Sequence, residues 1–134
     1  MEISYGSSPS DPEQVFDDLA LLEVQVLASD AEATRLAFRL RSKSDGHLTE
    51  TLDIMLGRLI RINPRLFLTS LHEQKSPVAR LDSMIANFGN AFADRASASR
   101  YESERRIAAL LTVTSPRLLA TRNECVALLK KVGS

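Results

Sequence analysis

The chain has 134 residues, with 17 Lys and Arg against 17 Asp and Glu, two His, one Cys and no Trp. That length suits one domain with a core of its own, and 44% hydrophobic with 25% charged residues is the composition of a folding chain, which excludes wholesale disorder. A formal net charge of zero with only five Phe and two Tyr argues against nucleic-acid binding, which calls for a basic surplus and stacking rings, and no apolar run approaches the roughly 18 residues of a membrane span.

The single cysteine, Cys125, cannot form an internal disulfide. Charge is unevenly placed. Residues 1–30 carry seven acids and no Lys or Arg, so residues 31–134 hold a surplus of seven positive charges. This pattern reads either as an acidic first helix beside a basic body or as a basic surface that receives an acidic partner. Met1 to Gln14 has neither the basic nor the apolar stretch of a signal peptide. A cytoplasmic location is therefore expected, with the periplasm or secretion as the alternative where a leader has been removed.

Residues 1–10 read as a mobile lead-in, and residues 11–134 as one α-helical domain. Asp11-Pro12 is a helix start: the Asp side chain can accept from first-turn amides, and proline suits the first helical position. Val15, Leu19, Leu22 and Val26 then mark one helical face, although the alternation of Leu22, Val24 and Val26 also permits a short strand. Asp30 caps a second helix carrying Leu36, Phe38 and Leu40, which ends by Ser44-Asp45-Gly46. Leu48, Leu52, Met55, Leu59 and Ile62 predict a third, widened by Leu56 and Ile60. Gly57 inside it costs about 1 kcal/mol relative to Ala, a cost that a close crossing at that point would explain.

Asn63-Pro64 ends that helix and begins a fourth, with Leu66, Phe67 and Leu71 on its apolar side. Ser76-Pro77 repeats the device before Val78, Leu81, Ile85 and Phe88, and Gly89-Asn90 loosens the helix unless Phe92 continues it. Residues 93–100 lack a large apolar anchor and read as a loop or a weak helical lead-in. Tyr101, Ile107, Leu110 and Leu111 mark a sixth helix. Ser115-Pro116 opens the last, with Leu118, Leu119, Cys125, Val126, Leu129 and Val132 apolar, Lys130 and Lys131 near its end and Gly133 closing it. The expectation is all-α: about seven helices with short connections, packed as antiparallel neighbours.

Asn63-Pro64-Arg65-Leu66 and Ser115-Pro116-Arg117-Leu118 share a local pattern, each after a long apolar helix, and Ser76 precedes Ser115 by 39 residues. From about Asp45 to Val132 the chain therefore resembles a short HEAT- or armadillo-like helical array, whose units repeat about every 40–47 residues. The resemblance implies a binding scaffold and carries over no site residue. An irregular helical bundle accounts for the same signals.

Candidate chemistry is sparse. His72-Glu73 begins like HExxH, but Ser76 stands at the second histidine's position, and His47 is remote, so no metal or other cofactor is expected. Cys125 lies on an apolar side and reads as a small core residue. Glu50 and Asp53 share a helical face, as acid–base pairs can, yet acids early in a helix also complement its dipole. Arginine rows are the strongest remaining feature: Arg35 and Arg39 one turn apart, and Arg58, Arg61 and Arg65 around a helix end. Arginine pairs bidentately with carboxylates and is enriched at binding hot spots.

These residues point to a non-catalytic helical module that binds another protein with an acidic surface, one form being a small bacterial inhibitor or immunity-type protein. A homo-oligomer is compatible with the same features. The alternative is a small-molecule-binding or hydrolytic helical bundle using His72 and nearby carboxylates. Nucleic acid and membrane are not expected partners.

Overall fold

The structure is a computed structural model that describes residues 12–74, 78–86 and 96–133, with side chains described for 18–74, 78–86 and 98–131. Among the described residues the chain is all-α, with no strand. The helices are α1 (Pro12–Leu27), α2 (Ala31–Lys43), α3 (Gly46–Ile62), α4 (Pro64–His72), α5 (Leu81–Ala86), α6 (Ala96–Leu111) and α7 (Leu119–Gly133). The expected lead-in, the Asp11 and Ser76 caps, Phe88, Gly89-Asn90 and Phe92 lie outside the described residues, as do the side chains of Val15 and Val132.

Helix ends follow their local chemistry. Ser29, at a φ of 67°, turns the chain out of α1 in the left-handed region. Asp30 then caps α2: its Oδ1 accepts from the Ala33 amide at 2.9 Å, and its carbonyl accepts from the Thr34 hydroxyl at 2.8 Å. Asn63 both closes α3 and opens α4, accepting from the Leu66 amide at 3.0 Å with Pro64 at the first helical position. Pro116–Leu118 forms a 3-10 turn, so α7 proper begins only at Leu119.

Helix α3 lies in the middle and packs against α1, α2, α4, α5 and α6. Its Leu52, Leu56, Leu59 and Ile60 are fully buried, and Phe38 of α2 meets Phe67 of α4 with ring centroids 5.9 Å apart. Helix α7 joins α6, α5 and α4, bringing Cys125, Val126 and Leu129 into the same core. A buried hydrogen bond from the Ser103 hydroxyl to the Leu129 carbonyl, 2.8 Å, links α6 to α7.

The structure decides between alternatives that the sequence leaves open and corrects other expectations. The Leu22–Val26 stretch is helical, with Leu22 and Val26 buried and Val24 65% exposed, so the alternation there is a by-product of helical periodicity. The fifth helix begins at Leu81: Val78 precedes it, and α5 is a short helix. Residues 96–100 are already helical, so this stretch is the lead-in of α6 and not a loop. Ile62, Tyr101 and Leu111, expected on apolar stripes, are about half exposed.

Candidate functional site

Two buried arginines organise the interior around α5. Arg41 of α2 is 7% exposed, and its Nε donates to the carboxylate of Asp53 on α3, itself 3% exposed. Its other nitrogens donate to the Ala79 carbonyl at 2.8 Å and the Arg80 carbonyl at 3.1 Å. One guanidinium thus ties α2, α3 and the 78–80 segment together. Burial pushes the Asp53 carboxyl above its ordinary range, and the Arg41 hydrogen bond and charge oppose that rise.

Near the other end of α5, Arg106 of α6 is 2% exposed and donates to Glu102 at 2.9 Å and to the Ile85 carbonyl at 2.8 Å. Arg61 donates to the other Glu102 oxygen at 2.7 Å. Burial pulls Arg106 below its ordinary value, and the hydrogen bond and charge of Glu102 counter this.

The segment fixed by Arg41 forms one wall of a cleft of about 820 Å³. The facing wall is a side of α2 bearing Arg35, Arg39 and Ser42, with Phe38 beneath. Glu73, just past α4, stands at the same cleft, as does Thr49 in the first turns of α3. The hydroxyls are largely committed: Ser42 donates to the Arg39 carbonyl at 2.6 Å, and Ser44 and Thr49 are 2.7 Å apart. The arginines are not. Arg35, Arg39 and Arg80 are exposed and, among the described residues, have no carboxylate within 4.0 Å. Arg80 also holds a φ of 53°, a left-handed conformation that a non-glycine residue adopts at some cost and that the hydrogen bond from Arg41 helps to hold.

The structure therefore divides the five arginines of the sequence reading. Arg35 and Arg39 share the cleft. Arg58 pairs with Glu23 of α1 at 3.2 Å, which joins the acidic first helix to the basic body, and Arg61 pairs with Glu102. Arg65 is exposed on α4, away from the cleft lining. Arg41 and Arg80 are cleft residues that the sequence reading did not single out.

The groups weighed for catalysis are dispersed. The lining of the cleft includes none of His72, Glu50, Asp53 and Cys125. His72 is exposed, with its Nδ1 3.4 Å from the Thr121 hydroxyl. Glu50 is exposed with its carboxylate 4.0 Å from His47, whereas Asp53 one turn later is buried against Arg41. The Cys125 thiol is fully buried and pushed up to about 12 by burial, with Glu124 adding to the rise. Among the described residues no group of three His, Cys, Asp or Glu side chains is placed to hold a metal ion, and no helix is long and apolar enough to cross a membrane.

No protein-family model matches this chain, and neither the curated proteins nor the solved structures contain a match to it.

Proposed function

We propose that the chain is a non-catalytic helical module that binds another protein by an acidic part of that partner's surface. The observation that carries this reading is the cleft wall of α2, where Arg35 and Arg39 stand exposed one turn apart opposite Arg80, with no carboxylate within 4.0 Å among the described residues. An unpaired guanidinium presents several N–H donors in a planar fork that matches a carboxylate. Three such forks around one concavity give an acidic partner a defined place to dock, where scattered cations give only diffuse attraction.

The frame supports the role. Arg41 has its donors engaged with Asp53 and two backbone carbonyls, so the wall that faces α2 is held before any partner arrives. We read residues 45–132 as a short HEAT-like scaffold; consecutive packed helices α3 with α4, and α6 with α7, support this, as do the proline-led starts at Pro64 and Pro116. One concrete form of the function is a small bacterial inhibitor or immunity-type protein that covers an acidic site of an enzyme.

The test is affinity capture from extracts of the native cell with the wild-type chain and with Arg35→Glu/Arg39→Glu. The reading expects a partner retained in stoichiometric amount by the wild type. Repeated capture of nothing, together with a chain that stays monomeric on its own, would contradict it.

A further inference from the structure

Resting on the protein-binding reading, we infer that the cleft receives an extended segment of the partner in which acidic and apolar residues alternate. The two walls differ in chemistry. On one, Arg35, Arg39 and Ser42 follow one another along a single face of α2. On the other stand the half-buried Val78 and the exposed Ala79, followed by Arg80. An extended chain lying between them sends successive side chains to opposite walls.

The spacing agrees. Residues four apart on a helix rise by about 6 Å along its axis, which is the separation of Arg35 and Arg39. Residues two apart on an extended chain are about 6.6 Å apart. Acidic side chains at alternate positions therefore meet Arg35 and Arg39 in register, and the apolar residue between them turns toward Val78 and Ala79. Arg80, at the end of that second wall, adds positive charge to the cleft without itself entering the alternation. Phe38, 2% exposed, closes the floor.

Two further features narrow the ligand. Glu73 stands at the cleft and repels acids that approach from the α4 side, which sets which face of the segment is acidic. The wall at 79–80 is pinned by the Arg41 hydrogen bonds of 2.8 and 3.1 Å, so the segment meets a formed surface and does not have to order a loop. Charge complementarity favours an acidic protein segment over a neutral apolar one, because the three exposed arginines have no carboxylate partner among the described residues.

Fluorescence anisotropy with the labelled, end-blocked peptide Glu-Leu-Glu-Leu-Glu tests the assignment at about 0.1 M salt, where the screening length is about 10 Å. The wild type should bind it saturably, and the block peptide Glu-Glu-Glu-Leu-Leu should bind several-fold more weakly. Arg35→Glu/Arg39→Glu should lose at least about tenfold in affinity, since two charge-assisted pairs are replaced by two repulsions. Arg65→Glu/Arg117→Glu makes the same change in net charge at exposed positions outside the cleft, and should lose less than about threefold. Glu73→Gln should bind more tightly than the wild type, a gain that a misfolded variant cannot mimic.

No saturable binding by the wild type, equal binding of the two peptides, or equal losses in the two double variants would each overturn the assignment. So would self-association of the wild type that Arg35→Glu/Arg39→Glu abolishes, because the occupant would then be a second copy of the chain. A partner captured from extract equally well by the wild type and Arg35→Glu/Arg39→Glu overturns the cleft assignment but leaves the protein-binding reading intact; failure to capture any partner counts against that reading itself.

Discussion

Gly57 of α3 leaves the space that the Arg106 guanidinium of α6 occupies: a Cβ at Gly57 would lie 2.6 Å from Arg106 Nη1 and 2.8 Å from the Met84 carbonyl oxygen. The glycine that weakens α3 locally is thus where α3 makes room for α5 and for the Arg106 side chain of α6.

Gly57→Ala should accordingly destabilise the protein. Ala gains about 1 kcal/mol of helix propensity. Against this, overpacking costs about 1–3 kcal/mol, and here one obstacle is backbone and the other a buried guanidinium held by Glu102 and Ile85. Because a backbone oxygen is one of the obstacles, the upper part of that range, about 2–3 kcal/mol, applies, and a net loss of about 1–2 kcal/mol is expected, read by thermal melting as a fall of several degrees. A Tm equal to or above that of the wild type would show that the crossing is looser than described.

The Arg41–Asp53 pair should behave as a buried pair does. Arg41→Met leaves the Asp53 carboxylate without its partner and should cost about 3–5 kcal/mol. Adding Asp53→Leu should recover a large part of this, because the stranded charge is gone. Recovery stays incomplete, since the Ala79 and Arg80 carbonyls still lack their donor. A double-mutant cycle by chemical denaturation measures both terms; simple additivity of the two substitutions would contradict the coupling.

Two ion pairs of similar length should differ sharply in worth. Arg58–Glu23, at 3.2 Å, is 52% and 34% exposed, so Glu23→Gln should cost no more than about 1 kcal/mol. Glu102→Gln removes the countercharge of the buried Arg106 and should cost about 3 kcal/mol. Denaturation midpoints of the two variants make the comparison, and equal shifts would be inconsistent with the burial described.

Cys125 supplies the pH dependence. Its folded-state value of about 12 lies above the ordinary 9.0, so the folded protein keeps a proton that the unfolded chain gives up. The stability tied to this thiol is full below pH 9 and falls as pH rises toward 12, by up to about 1.4 kcal/mol per pH unit. The stability difference between the wild type and Cys125→Ala should therefore shrink from pH 8 to pH 10.5. Thiol reagents should label the native protein slowly and the denatured protein fast; rapid native labelling at pH 8 would contradict the burial.

The helical architecture was legible because its signals are local. Asp30 and Asn63 cap as their residue types suggest, and α3 carries a long apolar stripe with Leu52, Met55, Leu56, Leu59 and Ile60 all buried. What escaped were the buried charges. Asp53 falls on the face of α3 shared with Leu56 and Ile60, and Arg106 lies one turn before Leu110, each a charge placed among core positions. A charge on an apolar stripe implies a buried partner, but the partner's identity depends on how distant helices meet. Asp53 finds Arg41 twelve residues away; Arg106 has Glu102 one turn earlier on its own helix, a local pair, and only its second partner, the Ile85 carbonyl, lies twenty-one residues away.

The cleft was half legible for the same reason. Arg35 and Arg39 share a helix face, which spacing alone reveals. Arg80 joins them through a left-handed turn pinned by Arg41, and nothing in the residues around Arg80 announces that turn. Arg58 and Arg61 looked equally available until the fold set Glu23 and Glu102 beside them.

Backbone amide shifts of the isotopically labelled protein, followed during titration with Glu-Leu-Glu-Leu-Glu, test the docking claim most directly. The account predicts perturbations concentrated on residues 35–44 and 78–80. Shifts gathered instead around residues 58–65, or none at concentrations that saturate the anisotropy signal, would contradict it.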